Sequence, residues 1–204
     1  MTLYDLKPRF QNALRPLAGR LAARGVTANQ VTLAAALGSI RIGALVAALA
    51  EARILFLLLP LWFVVRMGLN AIDGMLAREK DQQTKLGAYL NEIGDIVSDA
   101  ALYLPFALIF PFGPFWVGLA ILLAALTEFA GVLAASLGAT RRYDGPLGKS
   151  DRALVFGAVA LWVAFDHTLP PWAVWVMIAV KGLLILTVFN RVRAGLRAAP
   201  PSAG

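Results

Sequence analysis

The sequence predicts an all-α integral membrane protein, with six transmembrane helices preceded by an N-terminal interfacial amphipathic helix. Three observations carry that prediction. The 204-residue chain is 59% hydrophobic and only 15% charged, against roughly a quarter charged in soluble domains. Apolar runs close to the ~20 residues that cross a bilayer recur along almost its whole length. The segments between those runs alternate between basic and nearly uncharged.

No stretch is long enough for a separate soluble domain, so a single membrane domain is expected over residues 1–204. It divides into a juxtamembrane segment at 1–26, a six-helix core at 27–192 and a basic, disordered tail at 193–204. In the first segment Leu3, Leu6, Phe10, Leu14, Leu17 and Leu21 fall at helical spacing with Lys7, Arg9, Arg15 and Arg20 between them. That pattern suits a helix lying in the membrane interface or one packed on the cytoplasmic loops. Its mixture of apolar and basic residues predicts no cleavable signal. Thr27-Ala28-Asn29-Gln30 has capping-box spacing and predicts a clean start to the first span.

The expected spans are 31–50, 54–77, 86–110, 115–137, 153–165 and 172–189. The fifth is the shortest, with Asp166 and His167 expected at its outer interface. Basic residues cluster in the N-terminal segment, at Arg78, Lys80 and Lys85, at Arg141, Arg142, Lys149 and Arg152, and at Arg191, Arg193 and Arg197; the opposite loops hold Arg53 alone or no basic residue. The positive-inside rule then predicts cytoplasmic termini, in a bacterial inner membrane. The net charge of +7 is read as a topology signal and as attraction to anionic lipid, not as a nucleic-acid footprint. Trp62, Trp116, Trp162, Trp172 and Trp175 suit interface anchoring. The absence of cysteine excludes disulfides, thiolate metal sites and a cysteine nucleophile.

An ionisable side chain within a span is costly, so each one points to function or to a partner. Asn70, Asp73 and Ala77 share one face of the second span, and Asn91, Asp95 and Asp99 step by four along the third. With Arg78 and Gly87 at the membrane surface, Asp73 and Asn91 lie roughly 6–7 Å deep and Asn70 and Asp95 about 12 Å. The two polar faces are expected to meet at matched depth. Oxygen ligands without histidine or cysteine select hard ions, Mg²⁺ or Mn²⁺. Gly74 opens space beside Asp73, and Arg78 offers a fork suited to phosphate. Spacing alone thus predicts a metal-dependent site for a phosphorylated ligand, against the plainer readings that Asp73 pairs with Arg78 and that the asparagines are interhelical glue. Arg41 or Arg66 is expected to pair with Glu128 as packing glue or to contact a diphosphate, and Lys181 interrupts the sixth span.

These residues resemble the CDP-alcohol phosphotransferase family, whose motif is D-x2-D-G-x2-A-R-x8-G-x3-D-x3-D. Here the sequence reads Asn70-x2-Asp73-Gly74-x2-Ala77-Arg78-x8-Gly87-x3-Asn91-x3-Asp95, six of eight fixed positions with the spacing intact. Asn29 to Leu33 resembles the family's entry to its first helix. The resemblance implies a metal-dependent phosphatidyltransferase that uses CDP-diacylglycerol or another CDP-alcohol donor, a small polar alcohol acceptor and Mg²⁺ or Mn²⁺, and that works as a homodimer. It implies Asp73, Asn70, Asn91 and Asp95 as metal positions, Gly74, Ala77, Arg78 and Gly87 as nucleotide positions, Asp95 as general base, and Lys149 as a contact to an acceptor phosphate or an ordinary positive-inside lysine.

Two departures bear on that reading. Asn70 and Asn91 stand where the family has aspartates, which removes two negative charges from a site expected to neutralise two dications. Asp99 lies one turn beyond Asp95, so Asp95 acts as ligand and Asp99 as base, or Asp95 takes both roles; Glu92 shares the face of Asp95 and Asp99. A non-catalytic lipid- or nucleotide-binding relative with a degenerate metal site is the alternative function. A small-solute transporter is disfavoured by charges gathered at one membrane face without an inverted repeat.

Overall fold

The structure, a computed structural model, describes residues 3–166 and 168–200. The side chains of Leu3, Leu6, Lys7 and Arg9, together with His167 and residues 201–204, lie outside the described residues. Seven α-helices make up the described chain: α1 (Leu3–Ala23), α2 (Ala28–Ala48), α3 (Leu58–Glu79), α4 (Lys85–Tyr103), α5 (Gly113–Ser136), α6 (Lys149–Phe165) and α7 (Val174–Ala198). Short 3₁₀ turns at Arg53–Leu57, Leu104–Leu108 and Pro171–Ala173 lead into α3, follow α4 and lead into α7. No strand occurs among the described residues.

The caps set where the helices begin. Thr27 starts α2 with the expected capping box: its Oγ1 accepts from Gln30 N at 3.3 Å, and its N donates to Gln30 Oε1 at 3.0 Å. Thr84 caps α4 by accepting from Gly87 N at 2.8 Å. Asp151 accepts from Gly148 N at 2.9 Å, so α6 starts at Lys149, four residues ahead of the apolar run expected from 153. At the other end α7 continues to Ala198, through the first half of the segment expected to be a basic, disordered tail.

Among the described residues four helices are long and apolar enough to cross a membrane: Ala28–Ala48, Arg53–Glu79, Gly113–Ser136 and Pro171–Ala198. The sequence led us to expect six. The two shortfalls have a physical cause: α4 carries Lys85, Glu92, Asp95 and Asp99 within its 19 residues, and α6 has only 17 residues and opens on Lys149, Asp151 and Arg152.

Packing turns on α2, which lies against both α3 and α4, while α5 lies against α7 and α6 against α3. The larger core joins Phe56, Leu59, Tyr103, Phe106, Phe156 and Met177, all fully buried or nearly so. Tyr103 and Phe156 stack with ring centroids 3.8 Å apart. A smaller core at the other end gathers Ala18 of α1, Val31 of α2, and Ile72, Met75 and Leu76 of α3. That places α1 on the C-terminal half of α3, where Arg15 pairs with Glu79 at 2.9 Å. Leu37, Leu61, Val64, Leu122, Phe129 and Ile185 stay exposed, an outward apolar surface of the kind that hydrocarbon accommodates and water does not.

Ala35, Ser39 and Gly43 form a small-residue stripe along α2, all buried. It permits the close approach of α4. A Cβ on Gly43 would collide with the backbone carbonyl of Ala101, and backbone cannot yield as a side-chain tip can. Gly43→Val is therefore expected to destabilise the fold by about 1–3 kcal/mol, whereas Gly118→Val, where an added Cβ meets nothing within 4 Å, leaves it unchanged. Thermal unfolding of both variants in mild detergent checks this.

Candidate active site

α3 presents Asn70, Asp73, Gly74, Ala77 and Arg78, and α4 presents Gly87, Asn91, Asp95 and Asp99. The two helices do not pack on each other along their length. Each packs on α2, and the long side chain of Arg66 crosses from α3 to α4.

Asp73 is buried, and its Oδ2 accepts from the Thr32 hydroxyl of α2 at 2.9 Å. The same hydroxyl lies 3.1 Å from the Ala28 carbonyl. Asp73 and Arg78 do not pair. A Cβ on Gly74 would come within 2.9 Å of Arg78 Nη2, so the glycine leaves the space in which the exposed arginine folds back along its own helix. Gly87 sits where a Cβ would lie 2.6 Å from Asn29 Oδ1, holding the first turn of α4 against α2. Ala77 is half-buried and packs on the smaller core. Asn70 and Asn91 are half-buried.

Around Asp95 and Asp99 the structure builds a continuous chain of opposite charges. Arg66 Nη1 donates to Asp99 Oδ1 at 2.5 Å, and Arg66 Nη2 donates to Asp95 Oδ1 at 3.2 Å and to the Asp95 carbonyl at 3.1 Å. From α6, Arg152 donates through Nε and Nη2 to Asp99 Oδ2 at 3.1 and 2.8 Å. Both oxygens of Asp99 are thus held by arginines. Arg152 continues to Glu128 Oε1 at 2.8 Å and to Thr127 Oγ1 at 3.0 Å. Glu128 also takes Arg141 at 3.0 Å and Arg191 at 3.4 Å, and Arg141 reaches on to Glu92. Lys149, at the start of α6, donates through Nζ to Asp95 Oδ1.

Burial grades this chain. The side chain of Arg152 is 1% exposed and that of Asp99 7%, whereas Asp95 reaches 12% and Lys149 31%. Asp99 is a buried anchor; Asp95 lies at the accessible end, with its Oδ2 accepting no hydrogen bond among the described residues. Asp73 lies within electrostatic reach of both Lys149 and Asp95.

The loop before α6 fixes this arrangement. Gly145 has φ +125°, and a Cβ there would lie 2.7 Å from Thr187 of α7. Leu147 N donates to Thr187 Oγ1 at 3.1 Å, which leaves Lys149 and Arg152 pointing at α4. Beside the loop a cleft of about 480 Å³ is lined by Arg142, Asp144, Asn190, Arg193 and Arg197. Hydrogen bonds from Arg142 at 2.9 and 3.1 Å hold the Asp144 carboxyl below the usual carboxylate range.

The ion pairs differ from expectation. Arg66 partners Asp95 and Asp99 instead of Glu128, and Arg41 is exposed on α2. The partners of Glu128 are Arg141, Arg152 and Arg191. Sequence reasoning counted Arg152 only as a basic loop residue and passed over Thr32. A usable signal existed for Arg152, since it lies one turn beyond Lys149 on the same helix face and Asp99 needed a buried cation.

The candidate donor set is all oxygen, which suits a hard dication. Its oxygens come from the carboxylates of Asp73 and Asp95 and the amides of Asn70 and Asn91, and the Oδ1 of Asp95 already faces Arg66 and Lys149. Among the described residues no three His, Cys, Asp or Glu side chains gather as a cation cage.

A family model described as CDP-alcohol phosphatidyltransferase matches residues 25–180. The inner membrane protein YnbA of Escherichia coli (strain K12) is 49% identical over 199 residues, covering 96% of this chain and 97% of that one. A crystal structure of Mycobacterium tuberculosis phosphatidylinositol phosphate synthase in complex with manganese and citrate superposes with a TM-score of 0.73 at 20% identity, covering 93% of this chain and 91% of that chain. The same synthase with CDP-DAG bound gives 0.64 at 20% identity, covering 93% and 96%. At that identity the likeness is one of fold.

Removing Arg152 takes a buried cation from two buried acids at once, leaving Asp99 with Arg66 alone and Glu128 with Arg141 and Arg191. Arg152→Met is expected to cost about 3–5 kcal/mol of stability, while Arg41→Met on the exposed face of α2 stays within about 0.5 kcal/mol. Denaturant unfolding in micelles, read by tryptophan fluorescence, distinguishes the two.

Proposed function

The chain belongs to the CDP-alcohol phosphatidyltransferase family, and we propose that it transfers a phosphatidyl group from CDP-diacylglycerol to a small alcohol, releasing CMP for phospholipid synthesis. The observation that carries this reading is that Asp73 of α3 lies within electrostatic reach of Asp95 of α4 and of a partly exposed Lys149, within the family's motif spacing. Two properties of the Mycobacterium tuberculosis synthase support it, the manganese and the CDP-DAG found in its structures.

In the proposed reaction the acceptor hydroxyl oxygen bonds to the phosphorus next to the diacylglycerol. The anhydride bond to CMP breaks, and its electron pair leaves with the CMP oxygen. Asp95 takes the hydroxyl proton; its accessible position and free Oδ2 suit a base, whereas Asp99, locked between Arg66 and Arg152, suits a positioning residue that fixes Arg66 against Asp95. Asp73, with the amide oxygens of Asn70 and Asn91 and with Asp95, would hold Mg²⁺ or Mn²⁺. When bound, that ion neutralises diphosphate charge and polarises the reacting phosphoryl group. Gly74 and Ala77 leave room for the nucleotide, Gly87 fixes the facing helix, and Arg78 contacts the nucleotide end. Lys149 meets the acceptor side, and the arginine-lined cleft favours acceptors that carry phosphate.

The reading includes the membrane arrangement. α4 and α6 cross together with the four apolar helices, because their charges turn inward onto one another and leave apolar residues such as Ile93, Val97, Leu154 and Leu161 exposed. This gives one domain of six spans with cytoplasmic termini and active site, α1 in the interface, and a homodimeric assembly. One observation favours a second reading as a non-catalytic lipid- or nucleotide-binding relative: Asn70 and Asn91 leave the cation site short of charge.

Purified protein in lipid-containing micelles, given CDP-diacylglycerol, Mg²⁺ or Mn²⁺ and a panel of glycerol 3-phosphate, inositol phosphate and other polyols, tests the proposal. We expect cation-dependent CMP release with one acceptor, a loss of about 10²–10⁴-fold in kcat for Asp95→Asn, and loss of activity on chelation. Silence across the panel from folded protein that still binds the donor would establish the second reading instead.

A further inference from the structure

We infer that this site binds a single divalent cation and that the ammonium of Lys149 takes the electrostatic place of a second. The inference rests on the phosphatidyltransferase reading for its purpose, but its evidence is the charge arrangement of this chain. The family motif with four aspartates supplies four negative charges, which two dications neutralise. In this chain Asn70 and Asn91 reduce that to the two carried by Asp73 and Asp95. One dication neutralises both.

A second dication would also enter a field that the first has made positive. The linked acids are Glu92, Asp95, Asp99 and Glu128, and the bases touching them are Arg66, Arg141, Lys149, Arg152 and Arg191. Four negative charges face five positive ones, and Asp73 brings the sum to zero, so one bound dication already leaves the site with a positive excess. In a site with an effective dielectric near 20, like charges a few ångströms apart repel by several kT.

Lys149 is built to supply the missing charge at the accessible edge. Its backbone is fixed in the first turn of α6 by the Gly148–Asp151 cap, and its Nζ lies on Asp95 Oδ1. The ammonium is a compact point charge on a flexible stem. It can stay on Asp95 or shift toward a phosphate without leaving the site. Arg66 cannot do the same, because it is buried and tied to Asp99 as well.

The test counts cations without any turnover. Full-length protein in nanodiscs, free of substrate, is titrated with Mn²⁺, and bound metal is followed by electron paramagnetic resonance and equilibrium dialysis. The inference predicts one Mn²⁺ per wild-type chain with no spin coupling. Lys149→Gln should bind that Mn²⁺ at least about tenfold more tightly, because a neighbouring positive charge has gone, while Lys149→Arg keeps the wild-type affinity and controls for folding. The triple variant Asn70→Asp, Asn91→Asp, Lys149→Gln should bind two Mn²⁺ with a coupled spectrum. Two ions on the wild type, none at all, or an unchanged affinity in Lys149→Gln would overturn the inference. Because no donor or acceptor is present, a chain that fails to release CMP can still meet this prediction, and an active transferase can still refute it.

Discussion

The carboxylate of Asp99 cannot stand alone in the middle of a helix bundle, and much of the architecture follows from how it is held. Burying an unpaired carboxylate costs far more than the fold can spare, whereas a buried pair is tolerable when every oxygen is satisfied. Asp99 meets that condition with two arginines from two different helices, Arg66 of α3 and Arg152 of α6. Each arginine reaches a second acid as well, Asp95 for Arg66 and Glu128 for Arg152. The triad therefore fixes the positions of α3, α4 and α6 relative to one another.

From that anchor the charge runs outward in both directions. Arg152 passes it to Glu128 of α5, where Arg191 of α7 joins. Arg66 passes it to Asp95, which meets Lys149 at the accessible end. Rigidity and reactivity are thus separated along one chain of contacts: the inner acids, Asp99 and Glu128, have both oxygens engaged, and the outermost acid keeps an oxygen to offer. On the other side, α2 serves as the spine. Its stripe of Ala35, Ser39 and Gly43 lets α4 approach closely, and its Thr32 hydroxyl orients Asp73. A packing stripe and a site residue on one helix couple the distance between α2 and α4 to the geometry of the site.

Much of this was legible in the sequence, for reasons that can be named. Capping at Thr27 depends on four adjacent residues and appears in the structure as expected. The motif from Asn70 to Asp95 depends on helical spacing, which the chain preserves, so the two polar faces were identifiable before any coordinates. Pairing across helices was not. Arg66 and Glu128 each needed a partner, but the choice between distant arginines depends on the rotation of five helices, which no local pattern encodes. Arg152 looked like one more basic loop residue because its helix starts earlier than its apolar run, through the cap between Gly148 and Asp151. The role of Thr32 was hidden because a threonine near a helix start is unremarkable until Asp73 is seen beside it.

In the proposed reaction the polar faces of α3 and α4 receive the donor, with Asp95 at the reacting phosphorus and Asp99 held back as a support. A crystal structure with CDP-diacylglycerol and Mn²⁺ bound measures this most directly. The diphosphate is expected between Asp73 and Asp95, with Arg78 beside the nucleotide and Asp99 still clasped by Arg66 and Arg152. A donor bound elsewhere in the bundle, or Asp99 released from its arginines and turned onto the phosphate, would contradict it.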